Sequence, residues 1–184
     1  MDKIVVIGSS GAGKSIFAKE LASVLNINVS HLDRLFWQCG WKEISHSARK
    51  QILEDLLRKQ QRWIIDGNYL RFADIHVKAA DTIIFLDTPA LLCFRRLIER
   101  HLKYRKHSRY DIPDGCTDRL TLLHLFKVLI FRFQGKQIIE QTLLKYPPKH
   151  IIRLRSTQEI TEFLAQQKQI DEEKRLELQN VSTT

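Results

Sequence analysis

The chain has 184 residues, 43% of them hydrophobic, which is enough to bury one sizeable core, so we expect a single domain. No apolar run approaches the roughly 18 residues of a membrane span, and the apolar run in the opening MDKIVVIG is too short for a secretion signal, so we exclude a membrane protein. The three cysteines lack a paired spacing, which excludes a disulfide framework and a zinc site. We therefore expect a cytoplasmic protein. The formal net charge of +9 predicts an anionic partner, whether a nucleotide, a nucleic acid or an acidic surface.

Strand and helix patterns alternate along most of the chain. Short apolar or β-branched runs predict strands over residues 4–7, 28–33, 63–66, 82–87 and 150–154. Apolar residues at helical spacing predict helices after Gly13, over 45–61, over 90–103 and after Ser156. Strands separated by helices form β-α-β units, so the sequence predicts an α/β fold with a mostly parallel sheet and helices on both faces.

Two segments depart from this alternation. Residues 104–118 are polar and basic and contain Pro113 and Gly115, which predicts a mobile loop. From about residue 166 the chain is charged and lacks an apolar stripe, which predicts a frayed helix or a disordered tail over 166–184. We therefore expect one domain over residues 1–165, followed by that tail.

Residues 8–15 read GSSGAGKS, between a predicted strand and a predicted helix, and match the phosphate-loop pattern G-x-x-x-x-G-K-[ST]. Glycines let such a loop close around phosphate, its amides and the helix N-terminus bind the charge, Lys14 reaches the terminal phosphates and Ser15 binds Mg²⁺. The predicted nucleotide-binding residues are Gly8, Ser9, Ser10, Gly11, Ala12, Gly13, Lys14 and Ser15. The alternative is a glycine-rich turn that binds no ligand.

Charged residues outside the loop also fit a nucleotide site. Asp66 ends the third predicted strand, where a carboxylate can hold Mg²⁺, although it could instead cap the turn at Gly67. Arg96 and Arg100 share a helix face just before the 104–118 loop, where they could contact phosphate oxygens; the alternative is a solvated basic face. The sequence lacks the N-K-x-D pattern of GTPases and the L-S-G-G-Q pattern of transporter ATPases, which favours a kinase.

Together these segments resemble the adenylate-kinase-like P-loop kinases, and most closely the DNA topology modulation proteins. The resemblance rests on GSSGAGKS, HLD, WIIDGNY, TIIFLDTP and FRRLIERHLKYR, and covers about residues 1–164. It implies a five-stranded parallel sheet in the order 2-3-1-4-5, an acceptor-binding segment between the second and third strands, and a small lid over about 104–118.

The resemblance also implies roles for residues already singled out. Lys14 and Ser15 match the phosphate and magnesium positions, and Asp66 matches the acid of the D-G-F-P-R sequence in adenylate kinases. Arg96 and Arg100 match the arginines that open the lid, and the first of them also covers the adenine.

The chain departs from the adenylate kinase pattern on the acceptor side. Asn68 and Tyr69 stand where a Phe-Pro-Arg run grips a nucleoside monophosphate, and Arg71 is the arginine left nearby, which disfavours that acceptor. Arg34 could still meet an anionic acceptor. The candidate acceptor-binding residues are Asp33, Arg34, Trp37, Asn68, Tyr69 and Arg71. The candidate phosphate contacts in the lid are Arg105, Arg109 and Arg119.

Asp33 follows the second predicted strand, where it would face the acceptor pocket. A carboxylate there can orient or deprotonate the attacking hydroxyl, but an Asp after a strand is as often a helix N-cap. Trp37, with Phe36 and Trp41, could stack on a base or sugar ring, or the three could pack the pocket wall. His31 is expected to be structural.

The sequence therefore predicts a kinase that moves the γ-phosphoryl group of ATP to a nucleotide-like or other small acceptor, with Mg²⁺ as cofactor. Its predicted catalytic residues are Lys14, Asp33, Arg96 and Arg100. Two alternatives stay open: a nucleic-acid-binding regulator that uses ATP as a switch, and a kinase acting on nucleic-acid ends. Nucleic acid is disfavoured because no helix-turn-helix or RNA-binding signature is visible. The oligomeric state is left open, with a monomer favoured, and the acceptor's identity is also left open.

Overall fold

The structure, a computed structural model, describes residues 1–104, 109–118, 120–131, 133–146 and 150–181. The predicted lid residues Arg105 and Arg119 therefore lie outside the described residues. Within the described residues the strands are β1 (Lys3–Gly8), β2 (Val29–His31), β3 (Trp37–Gln38), β4 (Lys42–Glu43), β5 (Trp63–Asp66), β6 (Thr82–Leu86) and β7 (His150–Leu154).

Helices follow most of these strands, as the predicted β-α-β units require. They are α1 (Lys14–Leu25), α2 (Leu32–Phe36), α3 (His46–Lys59), α4 (His76–Ala79), α5 (Ala90–Tyr104), α6 (Leu122–Phe131), α7 (Gly135–Lys145) and α8 (Thr157–Val181), with a 3₁₀ turn at Leu70–Phe72. Ser45 caps α3 by accepting a hydrogen bond from the Ala48 amide, which explains why that helix begins at His46.

Five strands form one parallel sheet in the order β2-β5-β1-β6-β7. Strand β1 lies at its centre and pairs with β5 on one side and β6 on the other. The predicted α/β fold with a parallel sheet is thereby confirmed. The strand numbering differs in detail from the prediction because β3 and β4 form a separate antiparallel hairpin. Counted within the main sheet, the strands lie in the order second, third, first, fourth and fifth.

Each face of the sheet has its own hydrophobic core. Ile4 and Val6 pack in one core with Phe17 of α1, while Val5 and Ile7 pack in the other with residues of α3. Successive side chains of a strand point to opposite faces, so a strand that is covered on both sides needs an unbroken apolar run such as that of β1. The two cores hold the carboxyl ends of the central strands in place at one edge of the sheet.

The second predicted strand is shorter than expected. Strand β2 ends at His31, and the chain then turns into α2, for which His31 is the N-cap. Asp33 therefore lies in the first turn of a helix, and it is neither at a strand end nor the N-cap. The apolar side chains of Leu32 and Phe36 recur at helical spacing and are buried, which favours the helix over a continued strand.

Helix α8 continues to Val181, so the segment predicted as a frayed or disordered tail is helical to that residue. Its first half packs on the sheet domain, where the rings of Phe163 and Phe17 lie 6.0 Å apart between centroids. The boundary between a domain over 1–165 and a tail stays a prediction. No helix within the described residues combines the length and apolar content needed to cross a bilayer.

Candidate active site

The phosphate loop, residues 8–15, joins the carboxyl end of β1 to the N-terminus of α1 and packs closely on neighbouring backbone. Gly11 has φ +80°, and a Cβ there would lie 2.4 Å from the carbonyl oxygen of Cys93 on α5. A Cβ at Gly8 would lie 2.6 Å from the carbonyl oxygen of Leu86. Any side chain would collide at both positions, so glycine is what lets the loop take this path.

Positive groups converge on the loop. Gly13 is the N-cap of α1, so the first amides of the helix, which have no intrahelical partners, are directed toward the loop. Lys14 Nζ donates a hydrogen bond to the Ser9 carbonyl at 3.0 Å. Arg96 Nη1 donates to the Ala12 carbonyl at 3.2 Å. The helix N-terminus and two cationic side chains make this loop an anion-binding site.

The two arginines predicted to open the lid are engaged differently. Arg96 contacts the phosphate loop and also donates from Nη2 to Thr157 Oγ1 at 3.0 Å. Arg100 Nε lies 3.1 Å from Asp118 Oδ1, and Arg109 Nη1 lies 2.6 Å from the same oxygen. Asp118 is buried, so these pairs are shielded from water. Phosphate contacts by Arg100 and Arg109 require the ion pairs with Asp118 to open.

Strand β5 ends at Asp66, which lies in register with His31 at the end of β2. His31 Nδ1 and Asp66 Oδ2 are 2.8 Å apart, and both side chains are buried. Asp66 Oδ1 is also buried but has no hydrogen-bond partner among the described residues. Leaving a buried carboxylate oxygen without a partner is unfavourable, so Asp66 is suited to accept a hydrogen bond from water or to face a cation.

The loop of residues 109–118 approaches the start of α1 at Asp111. Arg109 Nε donates a hydrogen bond to Asp111 Oδ1 at 2.9 Å, and Ser15 lies close enough to Asp111 to lower its pKa. Burial raises the pKa of Asp111, but the Arg109 charge and the contacts with Arg109 and Ser15 outweigh it, so the pKa lies below its usual value. An ionised carboxylate therefore lies beside the residue predicted to bind Mg²⁺.

The oxygen groups at this edge of the sheet fit Mg²⁺. The Ser15 hydroxyl and the unpaired Oδ1 of Asp66 are hard oxygen ligands, which this ion prefers. Within the described residues no group of three His, Cys, Asp or Glu side chains could hold a metal ion. A magnesium ion held by Ser15 and Asp66 therefore needs phosphate oxygens and water to complete its shell, which is how Mg²⁺ is commonly bound beside nucleotides.

Asp33 belongs to a chain of hydrogen bonds near the phosphate loop. The Tyr69 hydroxyl donates to Asp33 Oδ1 at 2.7 Å, and Trp37 Nε1 donates to the Tyr69 oxygen at 2.8 Å. The Asp33 side chain is accessible to solvent, although protein atoms crowd around its carboxyl group. The resulting desolvation raises the pKa of Asp33, and the Tyr69 hydrogen bond and the Lys14 charge partly oppose the rise. An accessible carboxylate with a raised pKa is suited to accept a proton.

Asn68, predicted to bind the acceptor, contacts the phosphate loop. Its Oδ1 accepts a hydrogen bond from the Gly8 amide at 2.9 Å, and its Nδ2 donates to the Gly8 carbonyl at 2.9 Å. The Asn68 side chain therefore hydrogen-bonds the backbone of Gly8 through both its oxygen and its nitrogen. These contacts favour a role in holding the loop over the predicted role in acceptor binding.

The aromatic segment packs mainly on itself and on the core. Phe36 is fully buried. The rings of Trp37 and Trp41 meet edge to face with centroids 5.9 Å apart, and Trp41 Nε1 donates to the Thr117 carbonyl at 3.0 Å. These contacts favour the alternative in which the three aromatic residues form the pocket wall.

The two remaining basic candidates lie apart from each other. Arg34 Nη1 donates to the Tyr110 carbonyl at 3.2 Å, so Arg34 faces the 109–118 loop. Arg71 lines a surface pocket of about 380 Å³ with Thr142 and Lys145. The 3₁₀ turn that carries Arg71 places it beside α7, and neither Asp33 nor Tyr69 lines this pocket. Arg71 is therefore not brought to the acceptor side as predicted.

Neither a scan against protein-family models nor a search of curated proteins finds a match. Among solved structures, the chain is similar to a shikimate kinase from Acinetobacter baumannii in complex with shikimate, with a TM-score of 0.51 and 14% identity over 98% of this chain and 94% of that chain. It is also similar to a shikimate kinase from Bacteroides thetaiotaomicron, with a TM-score of 0.50 and 16% identity over 92% of this chain and 97% of that chain. The chain therefore shares the α/β fold of these two kinases. The likeness to DNA topology modulation proteins stays a prediction.

Two residues at the candidate site had not been recognised as functional from the sequence. His31, expected to be structural, pairs with Asp66; its position at the carboxyl end of a parallel strand was the available signal, since ligands of such sheets bind there. Asp111 lies in an irregular loop, and no periodicity places such a residue against Ser15.

Proposed function

We propose that the chain is an ATP-dependent phosphotransferase that moves the γ-phosphoryl group of ATP to a hydroxyl group of a small acceptor. The supporting observation is that Lys14 of the phosphate loop lies close enough to Asp33 for the lysine charge to lower the pKa of the carboxyl. A phosphate cradle opposite an accessible carboxylate provides the two halves of a kinase site.

In the donor half, the loop amides and Lys14 bind the phosphate oxygens of ATP. Arg96, held against the loop at the Ala12 carbonyl, adds a second cation beside them. Ser15 and Asp66 would hold Mg²⁺, which would neutralise charge on the phosphates. Contacts with the loop backbone hold Lys14 and Arg96 in place, and pre-positioned charge is the main source of rate in phosphoryl transfer.

In the acceptor half, Asp33 accepts the proton of the attacking hydroxyl. The hydroxyl oxygen forms a bond to the γ-phosphorus while the bond from that phosphorus to the bridging oxygen breaks, and ADP leaves. The raised pKa of Asp33 brings this base nearer to neutral pH than a free carboxylate, which favours proton transfer.

The test is ADP release from ATP and Mg²⁺ with a panel of small hydroxylated acids including shikimate, sugars, nucleosides, nucleoside monophosphates and oligonucleotide ends. We expect one acceptor class to stimulate release. Lys14→Ala should lower the stimulated rate by about 100-fold or more, because it removes a cation from the phosphates. Lys59→Ala, a change of the same type at an exposed lysine on α3, should leave the rate unchanged.

A different result would reject the proposal. If no acceptor raises ADP release while the wild type and Lys14→Ala both bind DNA with an affinity that falls steeply with salt, the chain is a nucleic-acid-binding protein instead.

A further inference from the structure

Asn68 and Tyr69 are neighbours in the turn after β5, and each is bonded to a different half of the site. Asn68 holds the amide and the carbonyl of Gly8 in the phosphate loop. Tyr69 holds Asp33 on the acceptor side. Consecutive residues share a rigid peptide unit, so the two contacts are mechanically linked. This turn therefore connects the loop that binds phosphate to the carboxylate proposed as the base.

The backbone at Tyr69 is held in an unusual conformation. Its φ is +23° and its ψ is 48°, a region that residues with side chains rarely adopt. Such a conformation persists only where surrounding contacts outweigh its strain, and it is commonest at functional sites. Here the Tyr69 ring packs edge to face on Phe36, with centroids 4.7 Å apart, and Phe36 is fully buried. The core thus fixes the ring, and the ring fixes the position of the hydroxyl.

The directions of the hydrogen bonds are determined by chemistry. An indole N–H can only donate, so the Tyr69 oxygen must accept the bond from Trp37 Nε1. The Tyr69 proton is then directed to Asp33 Oδ1. One carboxylate oxygen is engaged in this way, which leaves Oδ2 to meet a second group. A base held by one oxygen has a defined orientation before the acceptor arrives.

We propose that Tyr69 is a positioning residue, which orients the Asp33 carboxylate toward the acceptor hydroxyl and, through Asn68, keeps it at a set distance from the phosphate loop. This inference rests on the proposed kinase function, because orientation of Asp33 matters for the rate only if Asp33 acts as the base.

The first test is Tyr69→Phe in the full chain, which removes the hydroxyl and keeps the ring that packs on Phe36. We expect kcat to fall by about 10-fold or more, as for other partners that orient a reacting group, with the KM for ATP changed by less than about twofold. Tyr146→Phe, the same substitution at the end of α7, is the control and should leave both constants unchanged.

The pH profile separates orientation from a general loss of structure. The Tyr69 hydrogen bond lowers the pKa of Asp33, so its loss should move the acid limb of the kcat profile to higher pH. The other charged groups that face Asp33 are Lys14, Asp66 and Asp111, and the substitution leaves them in place. A lower kcat with an unmoved acid limb, or an unchanged kcat, overturns the inference.

A second readout does not depend on turnover. The pKa of Asp33 can be followed by NMR of its ¹³C-labelled carboxyl group, and it should be higher in Tyr69→Phe than in the wild type, whereas an equal pKa rejects the hydrogen bond. If no acceptor stimulates ADP release by the wild type, the kinase proposal is rejected, whereas the NMR measurement still tests the hydrogen bond from Tyr69 to Asp33. If Tyr69→Phe does not fold, Trp37→Phe, which removes the donor to the Tyr69 oxygen, must show the same smaller kcat and moved limb for the inference to survive.

Discussion

The phosphate loop takes its shape from its own backbone, whereas the acceptor side is held together by side chains from distant segments. In the loop, three glycines have positive φ, and the first of them lies directly against Leu86. On the acceptor side, Asp33, Tyr69 and Trp37 come from three elements and are joined by two hydrogen bonds. A backbone motif tolerates no side chain at its glycines, while a side-chain network can be altered one group at a time.

The two halves of the site should therefore respond differently to substitutions. Substitutions in the loop should act first on folding, because they force backbone apart. Substitutions on the acceptor side should act first on rate, because they remove charge or orientation while the cores stay packed.

Asp33→Asn should give the largest change and should affect rate alone. It removes the proton acceptor from an exposed position, so we expect kcat to fall by about 1,000-fold, equivalent to about 4 kcal/mol in the barrier, with little change in the free energy of unfolding. Steady-state kinetics and urea unfolding measure the two effects. Asp74→Asn, at an exposed acid near the 3₁₀ turn, is the control. A loss in kcat of less than tenfold would remove Asp33 from its proposed role.

Gly11→Ala should show the opposite pattern. Its Cβ would lie 2.4 Å from a carbonyl oxygen at a positive φ, and we expect the free energy of unfolding to fall by about 3 kcal/mol or more. Gly40→Ala is a matched control, since Gly40 has a similar φ of +78° but nothing within 4 Å of its Cβ. Strain alone should cost that variant about 1 kcal/mol. Equal losses in the two variants, measured by urea unfolding, would show that close packing of the loop on α5 is unimportant.

Buried His76 should make the folded protein less stable at acid pH. Burial lowers the pKa of His76 to about 4 from its ordinary value of 6.5. The unfolded chain therefore binds a proton that the folded chain does not between these values, so stability is complete above pH 6.5 and falls as the pH drops toward 4. The loss from this group should reach about 3 kcal/mol. Urea unfolding of the wild type and His76→Asn at several pH values should show a shallower acid loss in the variant; parallel curves would contradict the assignment.

Asn68→Ala should weaken the binding of ATP by an intermediate amount. It removes two hydrogen bonds from Gly8, so the loop becomes less well ordered and the KM for ATP should rise by about tenfold, or about 1.4 kcal/mol. Asn28→Ala, an exposed asparagine before β2, is the control for amide removal. Titration of nucleotide binding by fluorescence or calorimetry checks the expectation, and unaltered affinity would show that Asn68 does not hold the loop.

Arg34→Ala should produce the smallest change. The guanidinium of Arg34 lies 3.4 Å from Asp114, and both side chains are largely exposed, so water competes for the pair. We expect the free energy of unfolding to change by less than about 1 kcal/mol. A larger loss in urea unfolding would mean that the 109–118 loop is a structural part of the acceptor side.

The parts of the site that could be predicted are those written in contiguous sequence. GSSGAGKS specified the phosphate loop because its glycines permit the required backbone angles and because the strand and helix that flank it have clear periodicity. Asp66 was placed correctly at the end of a strand, since WIID is a buried apolar run that ends in an acid. The pairing of Asp66 with His31 was not predictable, because it depends on the register between β2 and β5.

Asn68 and Tyr69 show the same limit more sharply. Their match to the Phe-Pro-Arg positions of adenylate kinases suggested acceptor contacts, yet Asn68 hydrogen-bonds Gly8 across 60 positions of sequence and Tyr69 hydrogen-bonds Asp33 across 36. The backbone angles of a turn set the directions of its side chains. Tyrosine rarely has a positive φ, so the sequence did not predict the backbone conformation of Tyr69.

The α/β fold, the parallel sheet and the phosphate-loop motif could be predicted from the sequence, because apolar periodicity and glycine geometry act over short stretches of chain. Which side chains meet at the site depends on the tertiary structure: Asp66 with His31, Asn68 with Gly8 and Tyr69 with Asp33. Those contacts depend on strand register and on the directions of turns, and both are set by how the two cores pack against the sheet.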